Sequence, residues 1–146
     1  MYFEEFELGM GVDTEPVVIK KEKMLAFAGD YDPIPLHTDE SYAKTTVFGD
    51  LIAPGVMSFM SVWAKFLETN FLGSEFIAGK STKIEWLKPV YAEDTLKGKA
   101  YVSKLERRRG GKGLVEISVD VFNQKGEMVL KDVTEAIIKC KDFKEN

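Results

Sequence analysis

The clearest pattern in the chain runs through Leu114-Val115-Glu116-Ile117-Ser118-Val119-Asp120-Val121, where apolar and polar positions alternate with a period of two. That spacing sends successive side chains to opposite faces, as a strand with one dry and one wet side requires. Asn123-Gln124-Lys125-Gly126 then reads as a hairpin turn, and 127–139 returns as a second strand. With strands near 81–87 and 95–107, the C-terminal half is expected to form a meander of four long antiparallel strands. A different period governs 55–69. There Ser58, Ser61, Lys65 and Glu68 fall within roughly a quarter of a helix circumference at ~100° per residue. The remaining positions are apolar, so this helix needs a broad cover, and the strands of the second half can supply it. Short strands near 2–7 and 14–19 and a first helix over 20–29 complete the expected elements. The class is therefore α+β, with a long central helix wrapped by a curved antiparallel sheet in a single domain over 1–146.

A chain of 146 residues supports one real hydrophobic core, and no repeat or low-complexity tract breaks it. Its net charge of −4 argues against a nucleic-acid partner, which demands a concentrated positive field. One basic run exists: Lys104, Arg107, Arg108, Arg109 and Lys112, beside Gly110, Gly111 and Gly113. It reads as a hairpin tip, either simply solvated or able to hold a ligand's phosphate groups. The acidic N-terminus lacks the basic start and apolar run of a signal peptide. No stretch is long and apolar enough to span a bilayer, so a cytoplasmic location without a membrane partner is expected. The single cysteine, Cys140, permits neither an internal disulfide nor a thiolate cluster, and reads as a small buried residue on the last strand. One histidine among scattered acids gives no transition-metal set, and no metal is expected.

That histidine, His37, closes the segment Asp32-Pro33-Ile34-Pro35-Leu36-His37. Two prolines stiffen the path between an acid and an imidazole and keep Asp32 to Pro35 out of helical geometry. A rigid loop carrying an acid and a base is one way to preposition proton-transfer groups. The same letters also fit a turn begun by Asp-Pro, with a histidine that caps a helix or is solvated. Thr38 and Asp39 suit the start of a short helix, Thr38 as its cap and Asp39 as favourable charge in its first turn. Asp50, Trp63 and Trp86 read as a turn acid and two packing groups. Pro54-Gly55 opens the long helix. Proline costs nothing in a first turn and glycine admits a close approach to the backbone, where free N–H groups can hold a developing oxyanion.

The order Phe27…Gly29-Asp30…Asp32-Pro33-Ile34-Pro35-Leu36-His37-Thr38-Asp39…Ala43, then Phe48-Gly49…Leu51-Ile52-Ala53-Pro54-Gly55, resembles the MaoC-like (R)-specific enoyl-CoA hydratases, which have hot-dog folds. Trp86-Leu87-Lys88-Pro89-Val90-Tyr91-Ala92-Glu93-Asp94-Thr95-Leu96 is similar to that family's strand exit. The resemblance implies a catalytic Asp and His five positions apart, which fall on Asp32 and His37, and a Gly55 N–H that holds the thioester carbonyl oxygen. Ile34 stands where the best-known members carry Asn, and Pro54 where many carry His or Ser. Asp30, seven residues before His37, is the fallback acid. The implied reaction is reversible hydration of a trans-2-enoyl thioester to the (R)-3-hydroxyacyl thioester, with coenzyme A present only as part of the substrate. Arg107, Arg108 and Arg109 are then candidates for its phosphates, and Met57, Phe59 and Met60 for an acyl channel or for the core. The family's habit of pairing sheets edge to edge implies a homodimer or higher homo-oligomer. A hot-dog acyl-CoA thioesterase and a non-catalytic acyl-thioester binding subunit are the competing readings.

Overall fold

The computed structural model describes residues 1–141. Its sheet is built outward from β5 (Lys112–Phe122), the alternating segment, which pairs antiparallel with β4 (Thr95–Arg108) on one side and β6 (Met128–Lys139) on the other. Short strands β1 (Gly11–Asp13) and β2 (Val17–Val18) both pair with β4, and β3 (Phe76–Trp86) pairs with β6. The order is β1-β4-β5-β6-β3, with β2 beside β4. The consecutive meander thus has three strands, and the fourth long strand lies at the far edge rather than next to β4. Residues 87–94 make that crossing: Leu87 N and Lys88 N donate to Val129 O, and Glu93 N donates to Ile19 O on the other side. Strand β3 also begins five residues earlier than its composition suggests, because backbone pairing with β6 extends through two register irregularities, between Phe76 and Ala78 and between Gly79 and Ser81.

The helix expected at 55–69 is α4 (Gly55–Glu68), and it lies across the inner face of the sheet. Val115, Ile117, Val119 and Val121 of β5 and Leu96, Ala100 and Val102 of β4 are buried beneath it. Gly98 lets the helix settle close, since a Cβ there would stand 2.7 Å from Val62 Cγ1 and 3.2 Å from Val119 Cγ1. Burying an aliphatic side chain of this kind contributes ~1.5–3 kcal/mol, so this face holds the fold together. Phe59, Trp63, Phe66, Phe71 and Phe6 extend the core as a chain of tilted ring contacts 4.9–6.1 Å apart. Met57 and Phe59 belong to this core, whereas Met60 is exposed. The expected strand at 2–7 is instead one 3₁₀ turn, Phe3–Glu5, anchored by the buried rings of Phe3 and Phe6.

One acid lies inside. Asp132 on β6 sits directly opposite Val119 and faces the helix side with it, 1% exposed. Thr134 Oγ1 donates to its Oδ2 at 2.8 Å, while Oδ1 has no partner among the described residues. Burial pushes this carboxyl up to about 6, although the Thr134 hydrogen bond opposes the shift. No helix among the described residues is long and apolar enough to cross a membrane.

Candidate active site

Helix α1 (Lys21–Tyr31) stops at Asp32, whose backbone (φ −154°, ψ 63°) has left helical space and whose N–H closes the last turn on Ala28 O. Pro33 forbids continuation. Ile34 is extended, but Pro35 opens α2 (Pro35–Thr38), a single turn in which its missing N–H costs nothing. The expectation of a wholly non-helical loop fails there, and the failure matters, because that turn swings His37 back toward Asp32. His37 Nε2 and Asp32 Oδ2 stand 3.3 Å apart. Asp39, not Thr38, caps the following turn α3 (Glu40–Ala43): its Oδ1 accepts from Tyr42 N at 3.1 Å, while Thr38 Oγ1 donates back to Ile34 O.

His37 is 6% exposed, and its Nδ1 lies 2.7 Å from Ile52 O. A carbonyl oxygen only accepts, so Nδ1 carries a proton, and Nε2 is the ring nitrogen that faces Asp32. Ile52 is itself held: it bridges to Tyr91, and Ala53 N donates to Val90 O at 2.7 Å. Tyr91 OH donates to Phe48 O, which ties the stretch between α3 and α4 to the 87–94 crossing. Glu93 in that crossing adopts φ 67°, unusual for a side chain of its size. Its N–H bond to Ile19 O and its carboxylate bond from Lys21 N hold it there and fix the start of α1.

Asp32 and His37 open into a cavity of about 450 Å³ that is also lined by Gly55, Ser58, Trp86 and Val90. Helix α4 points its N-terminus here. Pro54 precedes it without a side-chain cap, and its first bond is Ser58 N to Pro54 O at 3.2 Å. The N–H groups of Gly55, Val56 and Met57 therefore lack intrahelical partners and sit at the positive end of the macrodipole. Gly55 is required for a reason the sequence did not disclose, since a Cβ there would collide with Nε1 and Cε2 of the Trp86 indole. The site thus combines a carboxylate and an imidazole nitrogen that face each other with a row of backbone donors across an apolar cavity.

Several expected residues fall elsewhere. Asp30 is exposed in the last turn of α1 and does not line this cavity. The arginines do form a hairpin tip between β4 and β5, with a second cavity of about 640 Å³ lined by Ile77, Arg107, Arg108, Arg109 and Lys112. Trp86 stands nine positions after Ile77 on β3, about 30 Å at the rise of an extended strand. Within one chain, the arginines are not brought to the Asp32–His37 site. Arg107 pairs with Glu4 at 3.1 Å, lies over the Phe3 ring, and points Nη1 at Cys140 Sγ. Cys140 is buried just past the end of β6, and burial pushes its thiol up. Three contributors went unassigned from the letters: the Ile52 carbonyl, Ser58 and Trp86. Ser58 falls by its spacing on the polar quarter of α4 with Ser61, Lys65 and Glu68, but it is 1% exposed. Trp86, read as packing, is half exposed in the cavity wall.

A long helix wrapped by an antiparallel sheet is the arrangement of a hot-dog protein. The family profile described as MaoC like domain matches residues 4–124, and the chain belongs to that family. A monoamine oxidase regulatory protein from Archaeoglobus is 30% identical, with a TM-score of 0.90 over 97% of this chain and 95% of its own. A MaoC-like dehydratase from Rhodospirillum rubrum is 25% identical, with a TM-score of 0.88 over 98% of this chain and 99% of its own. The (R)-hydratase PhaJ1 of Pseudomonas aeruginosa, at 24% identity and a TM-score of 0.74 over 99% of this chain and 92% of its own, shares the fold.

Proposed function

We propose that the chain adds water reversibly across the double bond of a trans-2-enoyl-CoA, giving the (R)-3-hydroxyacyl-CoA. The observation that carries this reading is the pairing of Asp32 Oδ2 and His37 Nε2 at 3.3 Å in the wall of the cavity, an acid and a base within reach of one water. A water held between them donates one O–H to each and presents its lone pair to the cavity. As its oxygen bonds to C3, the pair takes one of its protons, and the C2–C3 π electrons pass through C2 to the thioester oxygen. The N–H of Gly55 stabilises the charge on that oxygen, and a proton delivered to C2 from the pair completes the addition. Donors of this kind contribute ~3–4 kcal/mol in comparable oxyanion sites. Dehydration runs the same steps backward.

The exposed β3 edge has no paired strand among the described residues. We place a second copy of the chain there, antiparallel about the strand's middle, because an open edge of this length invites another strand. That arrangement sets the Phe76 end of one copy beside the Trp86 end of the other. The hairpin arginines of one copy would then serve the coenzyme A phosphates at its neighbour's cavity. The reaction belongs in the cytoplasm, where a lone thiol such as Cys140 stays reduced.

The test is loss of the enoyl thioester absorbance of crotonyl-CoA with purified protein, beside Asp32→Asn and His37→Ala, with chiral analysis of the product. Hydration to the (R)-3-hydroxy product by the wild type alone supports the reading. Release of free thiol without hydration would replace it with thioester hydrolysis.

A further inference from the structure

Ser58 lies one turn into α4, and its behaviour differs from that of its neighbour Ser61. Ser61 Oγ makes the ordinary back-bond of a helical serine, to Met57 O at 2.8 Å. Ser58 could bond to Pro54 O in the same way and does not. Its Oγ is buried without a partner among the described residues, the residue is 1% exposed, and it lines the cavity that holds Asp32 and His37. A buried hydroxyl left unbonded costs stability in the free protein. Such a group in a cavity wall marks the place where a ligand supplies the missing partner.

We propose that Ser58 is a further substrate-contacting residue, its hydroxyl donating to the thioester carbonyl oxygen beside the Gly55 N–H; this rests on the hydratase reading above. Two arguments select that oxygen. Ser58 follows Gly55 by three residues, so the two occupy neighbouring positions on one face of α4, at the end where free backbone donors already favour negative charge. The alternative partner is the reacting water, but both of its protons are engaged by Asp32 and His37, and a donor to its oxygen would hold back the lone pair that must attack C3. At the thioester oxygen the same hydroxyl gains strength as charge develops there, so its effect falls on the chemical step.

The experiment measures hydration of crotonyl-CoA, thermal unfolding without ligand, and calorimetric binding of butyryl-CoA, which cannot be hydrated. Wild type, Ser58→Ala and Ser58→Thr are compared. For Ser58→Ala the expected result is a fall in kcat of about tenfold or more, the scale of one lost hydrogen bond to a developing charge, with KM changed little. Its melting temperature should equal or exceed that of the wild type, because an unsatisfied buried hydroxyl has been removed. Ser58→Thr, which restores the hydroxyl, should recover most of the rate. Wild-type rates in Ser58→Ala overturn the role of Ser58 and leave the hydratase reading intact. A lower melting temperature with no recovery in Ser58→Thr also overturns it, in favour of packing. If the wild type binds butyryl-CoA without hydrating crotonyl-CoA, the hydratase reading falls, and with it the role of Ser58 in the chemical step. If the wild type neither hydrates nor binds, both readings fall together.

Discussion

Replacing Asp132 by Asn should remove a pH-dependent destabilisation built into the core. Asp132 is 1% exposed, faces the underside of α4, and has one oxygen without a partner among the described residues. Its carboxyl is raised from an ordinary 3.8 to about 6 by burial. Below the unfolded value both states are protonated and the group is neutral in its cost. Between the two values the unfolded chain releases the proton while the native state keeps it, so stability falls as pH rises. Above the native value the loss is complete, at ~3 kcal/mol for a shift of this size. Glu4, Glu127 and Glu135 act in the opposite sense, each held low chiefly by a hydrogen bond, from Lys141 N, Lys88 and Ser81 respectively. They are common to both proteins and cancel in the difference. Urea unfolding of wild type and Asp132→Asn at one protein concentration, from pH 4 to pH 7, should therefore give a stability difference that moves by ~2 kcal/mol in favour of the variant. Parallel curves over that range would mean that Asp132 is charged in the native state at no cost, and the reasoning from burial would be wrong.

Three further outcomes follow from the site. Asp32→Asn and His37→Ala should each lower kcat by ~10²–10⁴, as loss of an acid-base group does, while Asp30→Asn keeps wild-type kinetics; the reverse pattern in steady-state assays would move the acid to Asp30. Gly55→Ala drives a methyl into the Trp86 indole and should cost ~1–3 kcal/mol in chemical denaturation, most of it recovered when Trp86→Ala is added. Absence of recovery would show that the indole is not what Gly55 accommodates. Arg109→Glu should raise KM for crotonyl-CoA but not for crotonyl-N-acetylcysteamine, which has no phosphates; equal effects on the two substrates would remove the arginines from phosphate binding.

The parts of this fold that were legible in the letters are those that follow from local periodicity. The alternation at 114–121 and the apolar helix at 55–69 yielded β5 and α4 to within two residues at each end. Strand order was not legible in the same way. The alternation of β3 does not say which edge it joins, and the partner is chosen by the 87–94 crossing, whose hydrogen bonds run to Val129 and Ile19 far away in sequence. The burial of Ser58 was hidden for a related reason. A helical wheel sorts residues by composition, but whether a polar position is wet depends on what crosses over it, here the cavity wall formed with Trp86 and the segment carrying His37. Asp32 and His37 could be picked out because two prolines between them limit how far they can part. The Ile52 carbonyl could not, since any residue at that position supplies the same oxygen.

Four of the chain's five prolines, Pro33, Pro35, Pro54 and Pro89, lie at the joints of the candidate site. Pro33 ends α1 at the acid, Pro35 starts the turn that returns the imidazole, Pro54 precedes the uncapped helix start, and Pro89 lines the cavity beside the residues that hold Ala53. None of these backbone positions has an N–H to satisfy, and each restricts the unfolded chain before any contact forms. A loop-built site would otherwise lose orientation to the freedom of its loops, and a misplacement of ~1 Å can cost ~10²-fold in rate. His37 is then fixed through a main-chain carbonyl rather than a second side chain. Tolerance to substitution should follow from this: changes at Ile52 that keep the backbone in place should leave the His37 tautomer untouched, whereas Pro35→Ala, which frees the turn, should lower kcat in the crotonyl-CoA assay with Asp32 and His37 both still present.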